Sequence, residues 1–118
     1  MDDAFERMAL RMHGEVLKNL REAAEQGDAK AQYGLGWMYF KDDPIGTQDY
    51  AEVIKWWRKA AEQGYAKAQY HLSVMYGSGT RVTQDLDEAA KWRHKAAEQG
   101  DEDAQSDLDL LSFLTEAA

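Results

Sequence analysis

The sequence of 118 residues has no cysteine, a single proline and no long apolar run. The absence of cysteine excludes a disulfide scaffold and a thiolate metal site, and it is typical of a reducing compartment. A membrane-spanning helix needs about 18 or more consecutive apolar residues, and no such run occurs. The first residues, Met1-Asp2-Asp3-Ala4-Phe5, are acidic rather than apolar, so no signal peptide is expected. These features predict a cytoplasmic protein without a membrane segment.

Basic residues are also in deficit, since 14 Lys and Arg stand against 22 Asp and Glu, for a net charge of −8. Nucleic acids and anionic membrane surfaces attract positive charge, so neither is expected as a partner. The four Trp and six Tyr, by contrast, are numerous for this length. They need either a core or a binding face to occupy.

One string, Ala-Ala-Glu-Gln-Gly, occurs three times and ends at Gly27, Gly64 and Gly100, at spacings of 37 and 36 residues. The similarity continues beyond the glycines, because residues 29–33 recur as residues 66–70 with one identical string, Ala-Lys-Ala-Gln-Tyr. Self-similarity at a fixed spacing of this size is the signature of a repeat architecture.

Each repeat unit is predicted to form two helices. The first helices run from about 28–40 and 65–76, with apolar residues at i, i+4, i+7 and i+8 on one stripe. The second helices begin near Asp49 and Asp85, because both residues are suited to capping a helix N-terminus. No segment shows the alternation of a β-strand.

Glycines mark the ends of these helices and one close contact. Gly64 and Gly100 are predicted to end the second helices in the left-handed conformation. Residues 41–46 and 77–82 are predicted to be loops between the helices of a unit. Gly36 lies inside a first helix, where glycine costs about 1 kcal/mol against alanine, and is therefore expected to mark a close approach of two helices.

The sequence therefore predicts an all-α fold, an α-solenoid of helix-turn-helix repeats with about two full repeats and terminal capping helices. The chain is expected to be one domain made of an N-terminal helical cap, two repeats and a C-terminal capping helix, at 1–27, 28–64, 65–100 and 101–118.

The run from Ala66 to Asp85, followed by the run from Ala89 to Gly100, resembles the Sel-1-like repeat. This family is a tetratricopeptide-like α-solenoid whose units are slightly longer than the common 34 residues. The resemblance covers about residues 14–112, and the first unit departs from it in the loop at 41–46.

The resemblance implies a non-catalytic adaptor or scaffold that binds another protein or a peptide. Some bacterial members of the family resemble immunity proteins, so an inhibitor that neutralises a partner toxin by occlusion is the alternative. No cofactor is implied.

In tetratricopeptide-like arrays the first helices line the concave face, so a partner is expected there. Two readings stay open, a peptide groove of aromatic and lysine side chains, or aromatic rings that only fill the gap between neighbouring first helices. The residues placed on this face by register are Lys30, Tyr33, Trp37, Phe40, Lys67, Tyr70, His71 and Val74.

The tryptophans of the second helices divide into two kinds. Trp56 and Trp92 occupy the position at which the family carries a recurring Trp, and they are expected in the core. Trp57 aligns with Arg93, so the repeat does not require it, and it is expected to be a convex-face contact or a partly exposed packing residue.

The excess negative charge lies at the C-terminal end, where the last 18 residues contain six acidic residues and no basic residue. This segment either discourages end-to-end stacking of arrays or offers an acidic patch to a basic partner. A monomer or weak self-association is expected. The residues assigned to the patch are Asp101, Asp103, Asp107 and Asp109.

The sequence contains no convincing catalytic or metal-binding motif. His13, His71 and His94 fall on three different helices, so no shared site is expected. The acidic run from Asp101 begins like a calcium loop, but Ser106 and Ser112 stand where the loop needs glycine and glutamate. We therefore predict a non-enzyme without a metal ion.

Overall fold

The computed structural model describes residues 3–41, 50–79 and 82–116, and within these ranges it consists of helices that pack in sequence order. The radius of gyration is 17.1 Å, against about 13.5 Å for a compact domain of this length. The molecule measures 62 × 30 × 23 Å, so it is a short rod in which each helix packs mainly against its neighbours in the chain. The helices of the described ranges are α1 (Asp3–Glu25), α2 (Ala29–Lys41), α3 (Tyr50–Glu62), α4 (Ala66–Ser78), α5 (Leu86–Glu98) and α6 (Glu102–Glu116).

The predicted all-α repeat fold is confirmed, with α2 and α3 forming one helix pair and α4 and α5 the next. Gly64 and Gly100 have φ values of 95° and 90°, as expected for glycines that close a helix. Asp85 caps α5 by accepting a hydrogen bond from the backbone N–H of Glu88 at 3.1 Å. Of the helices described, none has the length and apolar character that a membrane crossing requires.

The prediction for the second loop was wrong at its start, because Gly77 and Ser78 belong to α4. The helix ends instead at Gly79, whose φ of 65° lets its N–H bond to the carbonyl of Met75 at 3.1 Å. The predicted loop at 41–46 and the predicted cap at Asp49 lie outside the described residues, except that Lys41 still belongs to α2.

The core is a string of small clusters along the rod rather than one central mass. Trp56 packs with Leu35 against α1, and Trp92 packs with Val53 and Leu72 in the middle of the array. Both tryptophans are buried, which confirms their predicted core position. Alanines dominate the remaining core positions and allow the helices to approach closely.

A buried glutamine ties each repeat unit to the preceding one. The side chain of Gln69 donates to the carbonyl of Ala61 at 3.0 Å and accepts from the side chain of Gln99 at 2.7 Å. Gln32 makes the same two contacts one unit earlier, to Ala24 and from Gln63. These bonds satisfy polar groups that would otherwise be buried unpaired, and they fix the spacing between units.

Candidate functional site on the first-helix face

Trp57 lies in the interior beneath the surface formed by α2, α4 and α6, which we call the first-helix face. Its side chain is only 1% exposed, so the expectation of a convex-face or partly exposed residue was wrong. The indole reaches α2 because Gly36 has no side chain there, and its Nε1 donates to the carbonyl of Tyr33 at 3.1 Å. The close approach predicted at Gly36 is confirmed.

Four side chains surround Trp57 and form what we call the aromatic cluster. The ring centroids of Tyr33, Trp37, Phe40 and His71 lie 6.1, 5.4, 6.0 and 5.5 Å from that of Trp57. The surrounding side chains are all half-buried. The structure therefore brings together four of the residues that the sequence placed on this face, and it adds Trp57 as their floor.

Hydrogen bonds hold His71 at the centre of the aromatic cluster. Its Nδ1 lies 2.8 Å from the carbonyl oxygen of Lys67 in the preceding turn of α4. The hydroxyl of Tyr33 lies 3.2 Å from the same nitrogen. Burial, first of all, raises the pKa of Tyr33 above its ordinary value. The imidazole is thus a fixed packing group that links α2 to α4.

Tyr65 is a residue of this face that the sequence reasoning missed. It occupies the N-cap position of α4, but its side chain makes no capping hydrogen bond. At the equivalent positions, Asp28 and Asp101 each accept a backbone N–H, at 2.8 and 2.9 Å. The ring of Tyr65 instead packs on Tyr33, with centroids 5.2 Å apart. The signal was available in the repeat alignment, where a tyrosine replaces the capping aspartate of the two other units.

Tyr33 and Tyr65 line a cleft of about 460 Å³ between the N-terminal ends of α2 and α4. Lys30 and Lys67, which occupy equivalent positions in the two helices, are exposed at its edges. Within the part of the chain that the structure describes, neither ammonium group forms an ion pair. Asp28, the cap of α2, lines the same cleft, which therefore combines an aromatic wall with two lysines and one carboxylate.

Tyr70 links this face to the acidic C-terminal helix. Its ring packs against the cluster that Ala96 and Ala97 form with Ala104 of α6, while Val74 next to it on the face is 42% exposed. Burial, followed by the carboxylate of Asp107, raises the pKa of Tyr70 above its ordinary value. Asp103 and Asp101 contribute to the same shift and so lie near this ring.

The residues assigned to the acidic patch lie in α6 or, for Asp101, at its N-cap. Asp101, Asp103 and Asp107 lie near the ring of Tyr70, since each of them contributes to the raised pKa of that tyrosine. Two residues along a helix correspond to a rotation of about 200°, so Asp109 lies on nearly the opposite side from Asp107. The patch with four members stays a prediction.

The half-buried aromatic residues also fill space between neighbouring first helices. Trp37 packs against His71, with centroids 5.1 Å apart, and Tyr70 packs against α6. The two readings of the sequence are thus not exclusive, because the same rings join the units and keep one edge at the surface. Among the described residues, no group of three or more His, Asp and Glu side chains is arranged to hold a metal ion.

Stacked helix pairs with a continuous first-helix face define the chain as an α-solenoid of helical hairpins. The model of the Sel1 repeat matches residues 7–28, 29–65 and 66–101, which is more than half of the chain. The chain therefore belongs to the Sel1 repeat family. Members of this family are typically protein–protein interaction modules and generally non-catalytic scaffolds.

Two solved structures illustrate the similarity. A Sel1 repeat protein from Oxalobacter formigenes is 41% identical with a TM-score of 0.69, over 76% of this chain and 67% of that one. A protective antigen of uropathogenic Escherichia coli strains, which displays an SLR fold, is 36% identical with a TM-score of 0.70 over 80% of this chain. The match spans only 20% of the length of the Escherichia coli protein. No curated protein matches the sequence.

Proposed function

We propose that the chain is a non-catalytic binding module whose first-helix face, the expected concave face of the array, holds a peptide or a loop of another protein. The observation that carries this proposal is the replacement of a capping aspartate by Tyr65. A lost N-cap costs about 1 kcal/mol, and the ring gained in exchange lines a cleft with Tyr33 and two lysines. The ring of Tyr65 offsets the lost cap by packing on Tyr33, and it also adds an aromatic surface to the cleft, which a capping aspartate would not supply.

The physical properties of the aromatic cluster support the same proposal. Large aromatic side chains dominate the binding energy of protein interfaces, because they bury much area and lose little side-chain entropy. Trp37 and Tyr33 are held in place by Trp57 and His71, so little further ordering is needed when a partner binds.

Affinity capture with quantitative mass spectrometry tests the proposal. The double variant Trp37→Ala/Tyr70→Ala is expected to lose partners that the wild-type chain retains. The matched control is Leu86→Ala, because Leu86 is 65% exposed at the start of α5 and so removes a surface apolar residue away from this face. Equal capture by the double variant and the wild type would contradict the proposal.

An inhibitor of the immunity-protein kind is the second candidate, and the acidic character of α6 favours it. Such a protein occludes the basic active site of a toxin through complementary charge. Co-expression with the product of an adjacent toxin-like reading frame is expected to rescue growth. Failure of the chain to rescue growth or to bind that product would remove this candidate.

A further inference from the structure

The first-helix face carries a row of charged residues whose sign changes along the array. Lys30, Lys67 and Asp103 occupy the same position in α2, α4 and α6, and all three are exposed. Asp107, one turn further along α6, adds a second negative charge beside Tyr70. Asp28 lines the same cleft as the two lysines and offsets part of their charge, so the face keeps a smaller positive charge at α2 and α4 and is negative at α6.

A row of apolar residues lies two helical turns away from the charged row. Trp37, Val74 and Leu110 each follow the corresponding charged residue by seven positions, which places them on the same side of their helices about 10.5 Å further along. Trp37 is half-buried, Val74 is 42% exposed and Leu110 is 58% exposed. The apolar row thus crosses all three first helices and becomes more accessible toward α6.

From these two rows we infer that the first-helix face binds a peptide segment with one apolar edge and ends of opposite charge, lying across the array. The inference rests on the proposed function and specifies its ligand. Apolar side chains along one edge of the segment cover the row from Trp37 to Leu110. Along its other edge, acidic side chains toward one end face Lys30 and Lys67, and basic side chains toward the other end face Asp103 and Asp107.

The charge order also fixes the direction of the bound segment. If the segment were reversed, its acidic end would lie against the carboxylates of α6 and its basic end against the two lysines. Like charges placed opposite each other at an interface are unfavourable and exclude the wrong register or partner. The charged row is therefore expected to contribute more to the specificity of binding than to its affinity.

The test uses short fluorescein-labelled peptides with a common row of leucines along one edge and three kinds of ends. One probe has glutamates at one end and lysines at the other, one has glutamates at both ends, and one has lysines at both ends. Fluorescence anisotropy of the wild-type chain is expected to give the tightest binding for the probe with opposite charges. Its affinity is expected to fall as salt is added, because exposed ion pairs are screened.

Charge-reversed variants sharpen the test. Lys30→Glu/Lys67→Glu makes the whole row acidic, so the probe with lysines at both ends is expected to become the tightest, by about tenfold over the probe with opposite charges. Asp103→Lys/Asp107→Lys makes the row basic and is expected to favour the probe with glutamates at both ends. Asp101 is left unchanged, because it caps α6 and its loss would disturb folding.

The matched control is Lys59→Glu/Lys95→Glu, which reverses two exposed lysines at equivalent positions of the second helices. This variant is expected to keep the wild-type order of the three probes. If all variants keep that order while Trp37→Ala weakens every probe, the charge inference is wrong and the proposed binding face stands. If Trp37→Ala and Tyr65→Ala leave all three affinities unchanged, the proposed binding face is wrong as well.

Discussion

Gly36 and Trp57 form a matched pair in which the edge of the indole occupies the space where a side chain at position 36 would begin. A β-carbon on Gly36 would lie under 3.0 Å from Nε1 and Cδ1 of the ring. The next unit has Ser73 and Arg93 at the two positions, so both members of the pair change together. This contact places Trp57 beneath the aromatic cluster and thereby shapes the first-helix face.

Gly36→Ala is expected to lower the free energy of unfolding by about 1–2 kcal/mol. The buried indole has to move and strain its hydrogen bond to Tyr33, which costs more than the helix gains from alanine. Urea unfolding followed by circular dichroism measures the change. Gly14→Ala is the control, because nothing lies within 4 Å of its added β-carbon, and it is expected to stabilise by up to about 1 kcal/mol. Equal effects of the two substitutions would contradict the interlocking contact.

Gln69→Ala is expected to cost about 1–3 kcal/mol, because the carbonyl of Ala61 and the side chain of Gln99 both lose a buried partner. Gln105 makes the equivalent bond to the carbonyl of Ala97 at 3.1 Å but is exposed. Water can replace its bond, so Gln105→Ala is expected to cost clearly less. Chemical denaturation of the two variants gives the comparison, and equal losses would show that burial does not set the strength of these contacts.

Exchanging the residues at the helix N-caps tests the special role of Tyr65. Asp101→Tyr removes the cap of α6 and is expected to lower the free energy of unfolding by about 1 kcal/mol. Tyr65→Asp gains a cap but loses the ring contact with Tyr33, so its stability is expected to stay within about 1 kcal/mol of the wild type. Denaturation and peptide anisotropy are measured together, and binding is expected to fall in Tyr65→Asp. Unchanged binding in that variant would show that Tyr65 is not part of the binding face.

Acid is expected to weaken the contact between α3 and α5 through Glu88. The hydrogen bond from Lys91, followed by that from the Trp92 indole, holds the pKa of Glu88 below its ordinary value, and Arg58 adds to the effect. A lowered pKa stabilises the folded state above the pKa of the unfolded carboxyl, about 4.3, and this contribution is lost as pH falls through the lower folded value.

The variant that isolates this effect is Glu88→Gln. It is expected to be less stable than the wild type near neutral pH and to approach it under acid conditions, as measured by urea unfolding between about pH 3 and 7. Glu98→Gln, which changes an exposed carboxylate at the end of the same helix, serves as the control. A stability gap for Glu88→Gln that stays constant with pH would contradict the assignment.

Much of the fold was predictable from the sequence, because residues that recur at the same position of each repeat unit have the same structural role in each unit. The recurring strings predicted the helix pairs, the glycines that end them, the cap at Asp85 and the buried positions of Trp56 and Trp92. Each of these features depends on neighbouring residues in the chain or on a position that both full units share. The same comparison of units could have revealed Tyr65, since an aspartate that caps in two units is absent from the third.

The sequence by itself determined the repeat, the helices and the family, because periodicity and capping are properties of short stretches of chain. Only the tertiary structure decided that Trp57 is buried. The residue equivalent to Trp57 in the next unit is Arg93, so a comparison of the units does not indicate whether position 57 is buried. Its burial arises where α2 and α4 leave a space over Gly36, and a space between two helices exists only after they have packed.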